Sequence, residues 1–270
     1  MTKLLGVIGD PISHSLSPLI HNGWLRDLHI DAVYEAMHVP AGNLSDALKT
    51  LEFRDVLGVN VTLPHKHDAL AACEESTEAA AKIGAANTLT LKEPGKWHAD
   101  NTDAPGFLYA LGHQDDIDQH VLILGAGGSA RAIVFALSNT KIPATILNRT
   151  VSKASDLAAE LGDSTTRSGS IDQYREYIDS ATIVVNTTSM GYSGDILELP
   201  SGDGRTFFDI SYGKIAAPQL EHAGEMGWQV KDGLTMLVAQ AAFSFESWFG
   251  VKPDFQKALE RCQRAVKAAQ

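Results

Sequence analysis

The sequence predicts an α/β protein built as two successive units on parallel sheet. Short apolar runs rich in β-branched residues alternate with segments whose apolar residues recur every three or four positions. After residues 101–106 the chain restarts a strand, a glycine turn and a helix. Its last stretch, 234–270, carries helical pattern and no strand. In order, the candidate strands are 4–8, 33–39, 56–61, 121–124, 144–147, 182–185 and 206–210. Between them 44–51, 130–137 and 155–161 have the spacing of crossover helices. The terminal stretch divides into two helices near 250–253 and, having no sheet of its own, is expected to pack back on the first unit. The domains so predicted are 1–102 completed by 238–270, and 103–237.

Composition narrows the functional classes. With 270 residues, 44% hydrophobic and 20% charged, the chain is an ordinary globular one. A formal charge of −11 argues against nucleic-acid and anionic-membrane partners, which reward clustered Lys and Arg. A small-molecule ligand is expected instead, met by local positive charge. Cys73 and Cys262 stand too far apart for a CxxC metal pair, and no HExxH or carboxylate cluster accompanies His65 and His67, so no metal is expected. The acidic run Asp115-Asp-Ile-Asp118 lacks the glycine and glutamate of a calcium loop and reads as an exposed turn. The apolar N-terminus is broken at once by Asp10 and Pro11, and no stretch approaches a membrane span, so a cytoplasmic protein is expected.

One segment names a cofactor. In His120-Val-Leu-Ile-Leu-Gly-Ala-Gly-Gly-Ser-Ala-Arg-Ala an apolar strand runs directly into Gly125, Ala126, Gly127, Gly128 and Ser129, and a helix follows. Gly125 permits a tight turn, Gly127 lets the backbone approach a pyrophosphate, and Ala130 allows close helix–strand packing. The helix N-terminus then offers N–H groups to phosphate. This is a Rossmann-type dinucleotide site. The next strand ends in Asn148-Arg149-Thr150, not in the acidic residue that would take a ribose 2′-hydroxyl. Arg149, with Thr150 and Lys153, suits a 2′-phosphate, which selects NADP over NAD.

Three further segments are dense in polar residues: Val7-Ile-Gly-Asp-Pro-Ile-Ser-His-Ser-Leu-Ser-Pro, Gly58-Val-Asn-Val-Thr-Leu-Pro-His-Lys, and Gly84-Ala-Ala-Asn-Thr followed by Asn101-Thr-Asp-Ala-Pro-Gly. Ser15 and Ser17 put two hydroxyls on one loop, suited to a small carboxylate. Asn60, Thr62 and Asn87 are short polar groups at strand ends, where an open α/β sheet keeps its ligand crevice. Lys66 falls at a predicted helix start, the unfavourable end of the dipole for a cation, with Asp103 as its expected partner.

Together with Asn186-Thr-Thr-Ser-Met-Gly, Asp232-Gly-Leu-Thr-Met-Leu-Val-Ala-Gln and the Gly125 turn, these segments resemble the shikimate dehydrogenase family from the first strand to the last helices. The resemblance implies a substrate domain and a Rossmann domain with the active site in the cleft between them. It implies the reversible NADPH-dependent reduction of 3-dehydroshikimate to shikimate, in the shikimate pathway of aromatic amino acid biosynthesis, by a monomer or homodimer. It assigns Ser15 and Ser17 to the substrate carboxylate, Lys66 and Asp103 to catalysis, and Asn60, Thr62, Asn87, Tyr212 and Gln240 to the rest of the substrate. Thr188, Ile210, Gly233 and Met236 would wall the nicotinamide. Ala99, where the family commonly has Gly, and Ser189-Met190 depart from the pattern, the latter bearing on the nicotinamide pocket. Two rivals remain: a dehydrogenase of dual quinate and shikimate specificity, against which Arg149 and the serine pair count, and a non-catalytic NADP(H) sensor, which would need no Lys66–Asp103 pair.

Overall fold

A computed structural model describes residues 2–112, 119–140 and 142–269; the acidic run at 115–118 lies outside them. The first stretch of chain forms β1 (Lys3–Gly9), α1 (Ser17–Asp27), β2 (Ala32–His38), α2 (Leu44–Glu52), β3 (Val56–Val61), α3 (Lys66–Ala71), β4 (Glu75–Ser76), α4 (Glu78–Ile83), β5 (Thr88–Glu93), β6 (Lys96–Asp100) and α5 (Asp103–Leu111). The second forms β7 (Val121–Leu124), α6 (Gly128–Ser138), β8 (Ala144–Asn148), α7 (Val151–Leu161), β9 (Arg167–Ser170), α8 (Tyr174–Ile178), β10 (Ile183–Asn186), α9 (Met190–Ser193), β11 (Thr206–Asp209), α10 (Ala217–Glu225) and β12 (Gln229–Lys231). Two helices close the chain, α11 (Leu234–Phe249) and α12 (Phe255–Ala269). It divides into two compact units, Met1–Gly106 with Leu237–Gln263, and Phe107–Met236 with Arg264–Gln270.

The first unit holds a sheet in the order β2-β1-β3-β5-β6-β4. It is mixed, not parallel throughout as the alternation of strands and helices predicts: β1 runs parallel to β2 and β3, but β5 is antiparallel to both β3 and β6. The cause is local. Pro94-Gly95, with Gly95 at φ 79°, folds β5 and β6 into a hairpin, and a hairpin joins neighbours without a crossover helix. One core packs α2, through Leu44, Leu48 and Leu51, against Leu4, Ile8, Val59, Val61 and Leu89 of the sheet. α11 approaches the sheet closely: a Cβ on Gly58 would overlap the Trp248 ring.

The second unit's sheet has the order β12-β11-β10-β7-β8-β9, parallel throughout. Counted along the chain, that is the doubly wound order in which the strands run outward in both directions from β7. Leu122, Leu124, Leu147, Val184 and Phe207 pack beneath Ala223 and Trp228. In each unit the chain leaves its first strand for one side and returns on the other, so a crevice opens beyond the carboxyl ends of β1 and β3, and of β7 and β10.

Candidate active site

In the first unit the crevice residues are tied together. Lys66 opens α3, and its Nζ lies 2.6 Å from Asp103 Oδ2, the two side chains being 13% and 7% exposed. Backbone contacts hold both ends: Ala86 N–H donates to Lys66 O (2.9 Å), while Asn101 Oδ1 accepts from Asp103 N–H (3.1 Å) and Asn101 Nδ2 donates to Ala85 O (2.9 Å). A buried ion pair costs desolvation that its mutual attraction barely returns. Its retention here therefore points to chemistry.

From Asp103 a buried polar network continues. Asn87 Nδ2 donates to Asp103 Oδ1 (2.8 Å) and contacts Thr102 Oγ1 (3.0 Å) and Gln240 Oε1 (3.2 Å). Asn87 Oδ1 accepts from Thr102 N–H at 2.8 Å, which settles the amide's orientation. Ser244, one turn beyond Gln240 on α11, meets Thr88 Oγ1 (2.8 Å), Thr102 Oγ1 (3.1 Å) and Asn60 Nδ2 (2.9 Å). Asn60 Oδ1 in turn accepts from the Tyr34 hydroxyl at 2.7 Å. Lys66, Asp103, Asn87, Gln240 and Asn60, singled out separately in the sequence, are thus one connected set.

Ser15 and Ser17 share a turn in which Ser15 Oγ accepts from Ser17 N–H (3.2 Å), leaving the Ser15 hydroxyl proton to be given elsewhere. Ser17 begins α1 and is buried at 4% exposure. Thr62, half-buried just after β3, is fixed through its backbone N–H to Ile8 O (2.9 Å). Thr88, Thr102, Ser244 and Tyr34 were not foreseen. For Ser244 a signal existed, as a hydroxyl four residues after Gln240 in an otherwise apolar part of α11. Tyr34 had none, since a single aromatic in a strand reads as core.

In the second unit Gly125 sits at φ 110°, and a Cβ there would collide with Thr187 Oγ1. Gly127 differs: a Cβ on it would meet no protein atom within 4 Å. Protein packing leaves that space open, as the approach of a pyrophosphate to the backbone would require. Ala126 completes the turn, Gly128 and Ser129 begin α6, and no side chain caps that helix, so the site fits an anionic dinucleotide. Asn148 Nδ2 donates to Thr150 O (2.9 Å), shaping the turn that leaves Arg149, Thr150 and Lys153 exposed.

Beyond β10 and β11 a second polar cluster braces the expected nicotinamide wall. Thr188 donates through N–H (3.1 Å) and Oγ1 (2.7 Å) to Asn186 Oδ1, whose Nδ2 donates to Asp209 Oδ2 at 2.7 Å. Burial pushes the Asp209 carboxyl up, with Ser211 N–H and the Asn186 amide opposing. Ile210 is tied to the same asparagine through Ile210 N–H to Asn186 O (3.1 Å). Gly233 is needed for packing, since a Cβ would strike Ile210 O, and Met236 is buried. Tyr212 lies in the loop after β11. Among the described residues no group of His, Cys, Asp and Glu could hold a metal ion, and no helix is long and apolar enough to cross a membrane.

Comparison with known proteins gives three family matches: the shikimate dehydrogenase substrate binding domain over residues 7–89, shikimate/quinate 5-dehydrogenase over 110–211, and the shikimate 5′-dehydrogenase C-terminal domain over 233–263. The NADP(+) shikimate dehydrogenase of Hyphomonas neptunium is 51% identical over 270 residues, covering 99% of each chain. That of Roseobacter denitrificans is 41% identical over 94% of this chain and 95% of its own. The crystal structure of the Thermus thermophilus enzyme with NADP(H) and shikimate superposes with a TM-score of 0.83 at 34% identity, covering 98% of this chain and all of that one.

Proposed function

The chain belongs to the shikimate dehydrogenase family, and we propose how its residues perform the reversible NADPH-dependent reduction of 3-dehydroshikimate to shikimate. It is an NADP-dependent oxidoreductase acting on a CH–OH group. NADPH supplies the hydride, and the protein must supply the proton and hold the ring. The observation that carries the reading is the partly buried Lys66–Asp103 contact of 2.6 Å. A cationic donor beside a carbonyl oxygen stabilises the developing alkoxide and then protonates it. Asp103, fixed by Asn87, orients the ammonium.

Ser15 and Ser17 are assigned to the substrate carboxylate, and Asn60, Thr62, Asn87, Gln240 and Tyr212 to the ring substituents. Asn60 Oδ1 has two lone pairs and Tyr34 engages one, which supports a role as acceptor for a ring hydroxyl. The cofactor is assigned to Gly125–Ser129 for the pyrophosphate, to Asn148, Arg149, Thr150 and Lys153 for the adenosine end, and to Thr188, Ile210, Gly233 and Met236 for the nicotinamide. We assign residues 1–102 with 238–270 to substrate and 103–237 to NADP; the compact units place the boundary a few residues later, so that Asp103 falls on the substrate side. A cytoplasmic location is supported by two free cysteines, Cys73 and Cys262, and the assembly is taken as monomer or homodimer. Initial rates with shikimate and quinate, each with NADP and NAD, test the function. Fastest turnover with shikimate and NADP is expected; equal rates with quinate, or none with either, would replace the reading by the dual-specificity or sensor alternative.

A further inference from the structure

Asn60, buried near the end of β3, can offer a ligand only one kind of hydrogen bond. Its Nδ2 carries two protons and faces three acceptors, Asn87 O (3.1 Å), Thr88 Oγ1 (3.2 Å) and Ser244 Oγ (2.9 Å). Asn87 O, a backbone carbonyl, can only accept, which settles the orientation of the amide. Ser244 gives its one proton to Gln240 O (3.0 Å), and Thr88 has Ser244 Oγ (2.8 Å) or Asn87 Oδ1 (3.1 Å) for its own, so both oxygens accept from Asn60. No amide proton is left over. On the other side Oδ1 accepts from the Tyr34 hydroxyl at 2.7 Å, which occupies one of its two lone pairs. Tyr34 is itself held. It is the one buried side chain of β2, and Asn22 of α1 clamps its backbone, donating to Tyr34 O (2.8 Å) and accepting from Tyr34 N–H (2.9 Å). His21 stacks on the phenol ring with centroids 4.1 Å apart and planes within 3°. What remains to Asn60 is a single lone pair in a fixed direction.

We propose that Asn60 is a polarity filter aimed by Tyr34: the ring position it reads must bring a hydrogen-bond donor, so that a free hydroxyl is taken and a fluoride, an ether or a ketone is refused. The inference rests on the reading of Asn60 as a substrate contact. A ligand acceptor set against Oδ1 would place two lone pairs together and leave both oxygens desolvated without a donor. Turning the amide over gives no escape, since Oδ1 would then face Asn87 O and the Tyr34 proton would meet an NH2 group. The filter is therefore set before any ligand arrives. It complements Lys66, which donates to the oxygen that is a ketone on one side of the reaction, whereas Asn60 accepts from an oxygen that stays a hydroxyl throughout. Tyr34 acts through Asn60 and is a positioning residue for specificity.

Dissociation constants measured without cofactor test it, for shikimate and for shikimates with fluorine in place of one ring hydroxyl, a change that removes the donor and little else. In the unmutated protein fluorine at the position read by Asn60 should weaken binding at least about tenfold, and in Asn60→Ala the same exchange should cost less than about twofold. An unchanged shikimate affinity in Asn60→Ala would remove the reading beneath the proposal. A weakened shikimate affinity there, with no fluorine penalty that depends on Asn60, would overturn the proposal itself. Tyr34→Phe keeps the ring and its stacking and removes only the hydroxyl. It should weaken shikimate by roughly 3–10-fold and shrink the fluorine penalty at that one position, leaving the penalties at the other ring positions as they were. Equal changes at every position would mean a loosened fold and would end the positioning role of Tyr34.

Discussion

In the first unit the candidate substrate residues hold one another: Lys66 grips Asp103, Asp103 accepts from Asn87, and Asn87, Thr102, Ser244 and Asn60 close a buried network. In the second, the groups expected to meet the dinucleotide's phosphates are a backbone turn and exposed side chains, with open space at Gly127 and Arg149 in solvent. The difference matches the ligands. A small ring with several hydroxyls is told from its relatives by the placement of a few polar atoms, and placement demands a rigid surround. A phosphate is recognised by charge and amide dipoles, which tolerate loose side chains. Mutations in the first unit's network should therefore interact, and those at the second unit's phosphate site should act singly.

The largest effect is expected at Lys66. Lys66→Ala should lower kcat by about 10²–10⁴-fold with a much smaller change in shikimate binding, because the alkoxide exists only near the transition state. Asp103→Asn should also slow turnover, and the double variant should be little worse than Lys66→Ala alone. Additive losses in these kcat values would break the contrast at its strongest point. Next comes Arg149→Asp, which should weaken NADP by about 100-fold and improve NAD relative to it, measured as the ratio of their kcat/KM values. Combined with Lys153→Ala the losses should add, as they would not in a network. Replacing both Ser15 and Ser17 by Ala should raise the shikimate KM beyond about tenfold while the NADP KM holds, at roughly 1.5–3 kcal/mol per charged hydrogen bond. Equal losses for both ligands would mean that the serines serve folding.

The smallest effect concerns stability in acid. Burial lowers His21 from 6.5 to about 3, so between those values the unfolded chain binds a proton that the folded chain refuses. Its contribution is complete above about pH 6.5 and is lost as pH falls toward 3. Among its ring neighbours Trp24, Tyr34, Phe245 and Trp248, only Tyr34 titrates, and burial keeps that phenol neutral. Urea unfolding at pH 7.5 and 5.5 should show an acid-induced loss smaller by about 1 kcal/mol in His21→Phe. In the second unit His120 is only half-buried and keeps Thr145 Oγ1 at 2.9 Å, so His120→Phe should change that difference less. A larger effect from His120 would reverse the comparison.

The second unit was the more legible in sequence. Strands buried on both faces show as unbroken apolar runs, and 121–124 appears in the structure within the same bounds, while 144–147 gains only Asn148. In the first unit β1 and β3 showed for the same reason, but the β5–β6 hairpin did not. Its alternating Thr88-Leu-Thr-Leu pattern and Pro94-Gly95 turn were present, yet short alternation is a weaker signal than an apolar run. The short edge strands β9 and β12 carry almost no pattern. Lys66 and Asp103 were legible because each stands beside a distinctive turn or helix start. Thr102 and Ser244 were not, because their meaning lies in a contact spanning 142 residues.

That span also has a history in time. The ribosome releases the first 106 residues long before α11, and Asn60 meets Ser244 across 184 residues while Trp24 Nε1 reaches Asp254 O across 230. A nascent chain paused at residue 233 has produced every strand of both sheets, yet Asn87 still lacks Gln240, Thr88 lacks Ser244, and Gly58 faces no Trp248. Contacts of such separation form late, since the loop they close must be ordered first. The polar groups assigned to the substrate thus wait until the last seventh of the chain arrives to seal them.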